Sequence, residues 1–432
     1  MTGKGFGVPL AAALASPLPF LLFYRQFARL FWFGDEFPLL DEIDTRPFIH
    51  WLWQPFVENI LPFFKLIWGG LLLQGCGSYL TMLELGWLIH AVNVALLATA
   101  MRRSGFQVLA VAFCATIFAW SATQIETVTW SVQISSELAT MFFLLAWVAL
   151  PSPGREFSLG RCLALLLFSL GSAWSFSRGL LTGPVAAVTL WTQGLGASPR
   201  SRVLASALAL APAVATSWLM MRLAPADAAH LGALRHHLGE AAAFALCYLG
   251  ANPAVPWYFS SGQGNIFAIS AAIPLAAGAI KLGILAAGWK LARPEQRRFL
   301  LPILLLDFGY ALLLGLGRWN DRWPYAMSSR YQYTSLLCSL PFAAIVIERG
   351  AALLWHSSRA PAVALASLTV LAASFNLWAW SRVLPAWTDW RGRANRQLLL
   401  HDHPVPLGAQ VQGVPGFPDR RAEQLTLRFR LR

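Results

Sequence analysis

The chain has 432 residues, of which 57% are hydrophobic and only 12% charged, and its mean hydropathy is +0.54. A soluble domain carries roughly 25% charged residues, so the composition excludes an ordinary soluble protein, and repeated apolar stretches near 20 residues long read as a polytopic membrane protein. The 33 Lys+Arg against 20 Asp+Glu leave a net charge of +13, but the basic residues fall in short gaps between apolar runs, which is the positive-inside pattern and not a nucleic-acid surface.

In chain order, the first apolar run covers about residues 7–27. Ala-Leu-Ala before Ser16 would suit a signal-peptide cleavage, yet the run continues to Phe23, so it reads as an uncleaved first span. The stretch "FWFGDEFPLLDEIDTRPFIHWLWQPFVENILPFFKLIWGG", residues 31–70, follows and concentrates acid among aromatics. Span 2, about 78–101, ends at Arg102 and Arg103. Spans 3 and 4, about 107–122 and 134–150, flank "ATQIETVTW" and end at "PSPGREFSLGR". Spans 5 and 6, about 162–176 and 179–193, form a hairpin that ends at "ASPRSR". Span 7 covers about 203–221, and span 8, about 265–291, returns to "KLARPEQRR". Spans 9, 10 and 11 cover about 299–316, 331–347 and 361–380.

These runs predict an all-α polytopic membrane protein of about 11 transmembrane helices, with every short basic gap cytoplasmic. Residues 239–257 read as a re-entrant or interfacial helix broken by Pro253 and Pro256, because a further crossing would carry "ARPEQRR" outside. The organisation expected is a membrane domain over 1–380, with an outer loop over about 28–77, and a polar tail over 381–432 outside. The cysteines are scattered without a CxxC pair, so they read as small core residues.

Carboxylates cost about 3 kcal/mol at the centre of a membrane helix, and a solvated outer loop accounts for Asp41, Glu42 and Asp44. Asp35 and Glu36 differ, because they sit between "FWF" and Phe37–Pro38. A carboxylate held against aromatic rings is partly desolvated, which makes it a better base. Trp51, Trp53 and Phe56 predict amphipathic helices that bring this loop back over the bilayer.

Four stretches, "GDEFPLL", "WQPFVENILPFFKL", "WLIHAVNVALLATAMRRSG" and the late "SSRYQY", resemble the C-type membrane glycosyltransferases (the GT-C superfamily). That group includes protein O-mannosyltransferases, aminoarabinose transferases and oligosaccharyltransferases, and the chain more closely resembles multi-pass bacterial members without an assigned substrate. The resemblance covers spans 1–4 and 9–10. It implies a GT-C-like first outer loop with interfacial helices, and an active site facing outward from a bacterial inner membrane. It also implies a polyprenyl-phosphate sugar donor and a lipid, glycan or protein acceptor. The Asp-Glu pair of protein mannosyltransferases falls on Asp35 and Glu36, and a second acidic position falls on Glu58. The resemblance would put a histidine after Glu58, where this chain has Asn59; no metal ligand set is assigned, and a divalent cation stays open.

The chemistry also follows from the residues. A phosphate leaving group needs no general acid, unlike glycoside hydrolysis, which pairs two carboxylates. One base for the acceptor and cationic groups for the phosphate suffice. Asp35 is the expected base of an inverting transfer. Adjacent helical residues point about 100° apart, so Glu36 is expected to orient Asp35 or the acceptor. "GLGRWNDRWPYAMSSRYQY" supplies Arg318, Arg322 and Arg330, and arginine's planar fork suits phosphate. Arg330 with Tyr331 enters span 10 from outside, as a phosphate ligand or an interfacial anchor. Arg318 and Arg322 have Asp321 as a partner. Arg178 could cap helix carbonyls or reach the donor, and His50 could bond the acceptor or sit at the interface. Asp307 lies mid-span, where an acid is costly, with Lys281 or a helix carbonyl as the structural partner. His401–His403 could chelate a metal but lack further spaced ligands and read as a tail loop, and the glycines at 262 and 264 follow no strand and carry no nucleotide fingerprint. The competing classes are a lipid-linked sugar transporter or flippase, suggested by Asp307 and Lys281, and a polysaccharide polymerase or ligase. Matching interruptions in paired halves are not visible.

Overall fold

The computed structural model describes residues 7–56, 59–74, 77–151, 157–195, 198–223, 234–251, 270–321, 323–355, 359–399, 424–425 and 428–429. Among these residues every regular element is a helix, and an isolated bridge pairs Phe56 with Asn59. Seven helices are long and apolar enough to cross a membrane: Tyr79–Arg103, Ser131–Ala149, Pro199–Leu223, Ala272–Leu291, Pro294–Arg318, Ser329–Leu354 and Ala360–Asp389. Val108–Trp120 and Ala122–Thr129 make an eighth if a 42° bend is counted within one span. The chain is therefore an all-helical, multi-pass membrane protein, as its composition requires.

The first predicted span is broken into α1 (Gly7–Ala15), α2 (Leu18–Leu22) and α3 (Tyr24–Phe27). Pro17 and Pro19 account for the first break, since neither can donate to the preceding turn. The first loop contains three helices, α4 (Glu36–Thr45), α5 (Phe48–Trp53) and α6 (Pro62–Gln74). Next, α7 (Tyr79–Arg103) starts at Ser78, whose hydroxyl accepts the Thr81 N–H at 3.4 Å. It ends at Gly105, whose φ of +76° lets Phe106 N–H return to the Met101 carbonyl. Then come α8 (Val108–Trp120), α9 (Ile125–Thr129), α10 (Ile134–Ala149), α11 (Leu159–Ala173), α12 (Thr182–Thr192) and α13 (Pro199–Leu223). The helix α14 (Leu238–Gly250) lies in the segment read as re-entrant; Pro253 and Pro256 fall outside the described residues. The chain continues through α15 (Ala272–Leu291), α16 (Pro294–Arg318), α17 (Ser329–Trp355) and α18 (Ala360–Leu399).

The bundle has two chemically distinct ends. At one end the Arg293 guanidinium donates to the Gly105 carbonyl at 3.2 Å, Arg103 to Val148 at 3.1 Å, and the Gln193 amide to Arg298 at 2.9 Å. The basic gaps after spans 2, 4, 6 and 8 thus gather together. At the other end the first loop packs on the start of α7 and the end of α11, where Trp32 donates to Gly77 at 3.1 Å and Phe63 N–H to the Trp174 carbonyl at 3.2 Å.

The boundary at residue 380 falls inside one continuous helix. At 1.5 Å per residue the 40 residues of α18 run about 60 Å, roughly twice the hydrocarbon thickness of a bilayer. Residues 381–399 continue that helix. Trp380, Val383, Leu384, Trp387 and Arg391 recur at helical spacing and are buried, and they dock this extension onto the first loop. The free cysteines Cys114, Cys162, Cys247 and Cys338 are buried, as expected of core residues.

Candidate functional site

The aromatic triplet before Asp35 is an anchor. Trp32 is fully buried and meets Trp68 edge-on at 5.6 Å and Tyr79 at 5.3 Å. The chain then reverses at Gly34, whose φ is +61°, and a Cβ there would lie 3.2 Å from the Trp130 ring. Both the conformation and the contact favour glycine. The tight reversal sends successive side chains different ways: Asp35, just before α4, is half-buried, whereas Glu36 is completely buried.

Glu36 is the clamp of this loop. One carboxylate oxygen accepts the Ser131 N–H at 2.9 Å, the Ser131 hydroxyl at 2.5 Å and the Tyr79 hydroxyl at 3.1 Å. The other accepts the Phe33 N–H at 2.5 Å and lies 3.9 Å from the Arg391 guanidinium. Arg391 in turn donates to the Thr129 and Phe31 carbonyls, each at 2.6 Å, and to Tyr79 at 2.9 Å. Its guanidinium also lies over the Phe33 and Tyr79 rings at 4.9 and 5.2 Å. This residue was missed in the sequence, where it belonged to the polar tail; the recurrence of large apolar residues before it at 380, 383, 384 and 387 was the available signal.

Burial pushes the Glu36 carboxyl up to about 7 from 4.5, against the opposing pull of Arg391 and the hydrogen bonds from Ser131, Phe33 and Tyr79. A carboxyl raised on folding binds its proton more tightly in the folded state, so its contribution to stability is complete below about 4.5 and is lost as pH rises through about 7. The shift corresponds to about 3 kcal/mol at most. Denaturation of the detergent-solubilised protein should show stability falling across that window, and Glu36→Gln should flatten the fall. A wild-type profile already flat between those values would refute the burial account.

Arg330 stands across Trp130 from this loop. The Trp130 indole donates to the Phe33 carbonyl at 3.1 Å, and the Arg330 guanidinium lies 5.8 Å from the Trp130 ring and 5.1 Å from that of Tyr331. Arg330 is half-buried at the start of α17, and its N–H donates to a Glu126 carboxylate oxygen at 2.9 Å. Asp35 and Glu126 both act on the Arg330 charge through space. The structure therefore gathers Asp35, Trp130 and Tyr331 about Arg330, and buried Glu36 adjoins Asp35 in the chain.

Tyr310 links this centre to the bundle interior. Its ring is 6.3 Å from that of Tyr331, and its hydroxyl is buried without a hydrogen-bond partner among the described residues. Arg178, Arg318 and Arg330 all lie within electrostatic reach of it. Arg178 is buried and donates to the Ser136 carbonyl and the Thr140 and Thr334 hydroxyls. Arg318 pairs with Asp321 at 3.5 Å on a partly exposed surface. His50 is exposed on α5. Glu58 and Arg322 lie outside the described residues.

Two loop acids read as solvated are instead paired. Glu42 accepts from buried Lys65 at 3.0 Å, and Lys65 also donates to the Trp51 and Gln54 carbonyls, each at 3.0 Å. That ammonium ties α4, α5 and α6 together; its burial lowers its pKa and Glu42 counters the shift. Asp44 binds Arg428. Helix packing creates both pairs from residues distant in sequence. Inside the bundle Asp307 pairs with Lys281 at 2.6 Å and accepts from Tyr248 at 2.8 Å, so the mid-span acid has its expected partner. Glu137 is another fully buried acid, its carboxylate without a hydrogen-bond partner among the described residues, with Arg178 acting on it through space. No group of three His, Cys, Asp or Glu side chains able to hold a metal occurs among the described residues.

Neither a family model nor a curated protein matches the chain.

Proposed function

We propose that this protein is an integral-membrane glycosyltransferase of the GT-C type that moves a sugar from a polyprenyl-phosphate donor to an acceptor outside the membrane. The observation that carries the reading is the pairing of opposite charges beside Trp130: half-buried Asp35 lies within electrostatic reach of half-buried Arg330, whose guanidinium lies over the Trp130 ring. In the proposed step Asp35 takes the proton of an acceptor hydroxyl or amine. The acceptor lone pair attacks the anomeric carbon from the face opposite the phosphate, and the carbon–oxygen bond to phosphate breaks with inversion. The leaving polyprenyl phosphate keeps the electron pair, and Arg330 compensates its charge, with Tyr331 beside it. Glu36 and Arg391 hold the loop that carries Asp35.

The proposed topology has eleven crossings, with the basic end cytoplasmic and the site end outside, in a bacterial inner membrane. A helix occurs within each of the eleven predicted spans, and basic gaps gather at one end of the bundle. These features support that orientation by the positive-inside rule.

Arg330→Ala tests the donor side. A hydrogen bond to a charged group is worth about 1.5–3 kcal/mol, so this variant should need about tenfold or more additional donor for the same rate. Arg318→Ala should change donor use much less, because Arg318 already pairs with Asp321. Equal small effects would return Arg330 to a membrane anchor. The second reading is a transporter or flippase of lipid-linked sugars, favoured by the ionisable pair Lys281–Asp307 inside the bundle. It predicts movement of the donor across a vesicle membrane without sugar transfer. A polymerase or ligase would be distinguished by a growing glycan product.

A further inference from the structure

Resting on the phosphate-binding role proposed for Arg330, we infer that Glu126 is the positioning residue that sets Arg330 against Trp130. Glu126 makes a bond from each of its three polar groups. Its side chain accepts the Arg330 N–H at 2.9 Å, its own N–H donates to the Ser329 hydroxyl at 3.2 Å, and its carbonyl accepts the Trp130 N–H at 3.1 Å. Ser329 closes the arrangement by donating to the Thr123 carbonyl at 2.5 Å.

The need for such a device is local. The first N–H groups of α17 have no intrahelical acceptor, and a carboxylate there satisfies one of them and complements the helix dipole. The partner segment is α9, which follows the 42° bend after α8. The residue that holds the Arg330 backbone also holds the Trp130 backbone, and Trp130 holds the Asp35 loop through the Phe33 carbonyl. Glu126 is thereby tied to the base side of one ring through its backbone and to the phosphate side through its carboxylate.

The two properties of this carboxylate act on phosphate in opposite directions. As a hydrogen-bond acceptor it fixes Arg330. As a negative charge acting on Arg330 it weakens attraction for an anion. Glutamine keeps an acceptor oxygen and loses the charge, whereas alanine loses both.

Affinity for farnesyl phosphate, followed by tryptophan fluorescence of the purified full chain in detergent, separates these effects. Glu126→Ala should weaken binding about tenfold, the equivalent of one displaced charge-assisted contact. Glu126→Gln should bind as tightly as the wild type or more tightly. Ser329→Ala, which leaves the carboxylate in place, should weaken binding in the same direction as Glu126→Ala but less. Unchanged affinity in Glu126→Ala, or equal losses in Glu126→Gln and Glu126→Ala, would overturn the inference. If Glu126→Ala does not fold, Glu126→Gln and Ser329→Ala decide it: tight binding by the first with weakened binding by the second supports it, and any other pattern overturns it. Arg330→Ala run alongside keeps the two ideas apart, because full binding by that variant would remove the phosphate role itself, whatever Glu126 does.

Discussion

Arg391→Met is expected to destabilise the protein by about 3–5 kcal/mol at pH 8, the usual cost of removing one partner of a buried charged pair. Methionine keeps most of the apolar length but supplies no donor. The Phe31 and Thr129 carbonyls and the Tyr79 hydroxyl would each lose a contact, and ionised Glu36 would lose the guanidinium 3.9 Å away. Below about pH 7 the loss should shrink, because Glu36 is then neutral. Arg391 pulls the Glu36 titration down, so its removal should also move that midpoint above about 7. Adding Glu36→Gln to the same chain should recover part of the stability at pH 8, since no buried anion would remain unpaired. A single variant as stable as the wild type at that pH would mean that the extension of α18 does not brace the loop.

The second large effect is chemical. Asp35→Asn should lower sugar transfer about 10²–10⁴-fold, the range that general-base catalysis supplies. Asparagine has nearly the same volume and one acceptor oxygen, but it does not take up a proton at neutral pH. The fold should survive, because Asp35 is half-buried and the buried clamp is made by its neighbour Glu36. Donor binding should also persist, because Arg330 and Tyr331 are untouched.

Much of this arrangement could be read from hydrophobic runs, and the reasons for the remainder are specific. Apolar windows between arginine gaps locate the helices well, because a membrane helix must be apolar along its whole length. The same rule says little of α18 beyond residue 380, where a helix that packs by one side needs only one apolar face. Trp380, Val383, Leu384 and Trp387 supply that face among arginines, so composition alone describes a polar tail. Arg391 was hidden with it. The Asp-Glu pair stood out because acid beside "FWF" is unusual in such a chain. Which of the two turns inward depends on the reversal at Gly34, whose positive φ is not written in any periodicity. Glu126 looked like part of an ordinary connection, since the helix start it caps lies 204 residues further along. The Lys281–Asp307 pair could be anticipated, because two intramembrane charges have few other ways to be accommodated. The Lys65–Glu42 pair could not, because either residue is unremarkable at the edge of a loop.

The most direct test is transfer of a labelled sugar from polyprenyl phosphate by purified protein in lipid vesicles, with Asp35→Asn measured beside the wild type and donor binding followed in parallel. The account predicts transfer by the wild type, near-complete loss in Asp35→Asn, and donor binding by Asp35→Asn at least as tight as that of the wild type. Full transfer by Asp35→Asn would contradict it, as would a wild-type protein that binds or moves the lipid-linked sugar and never transfers it.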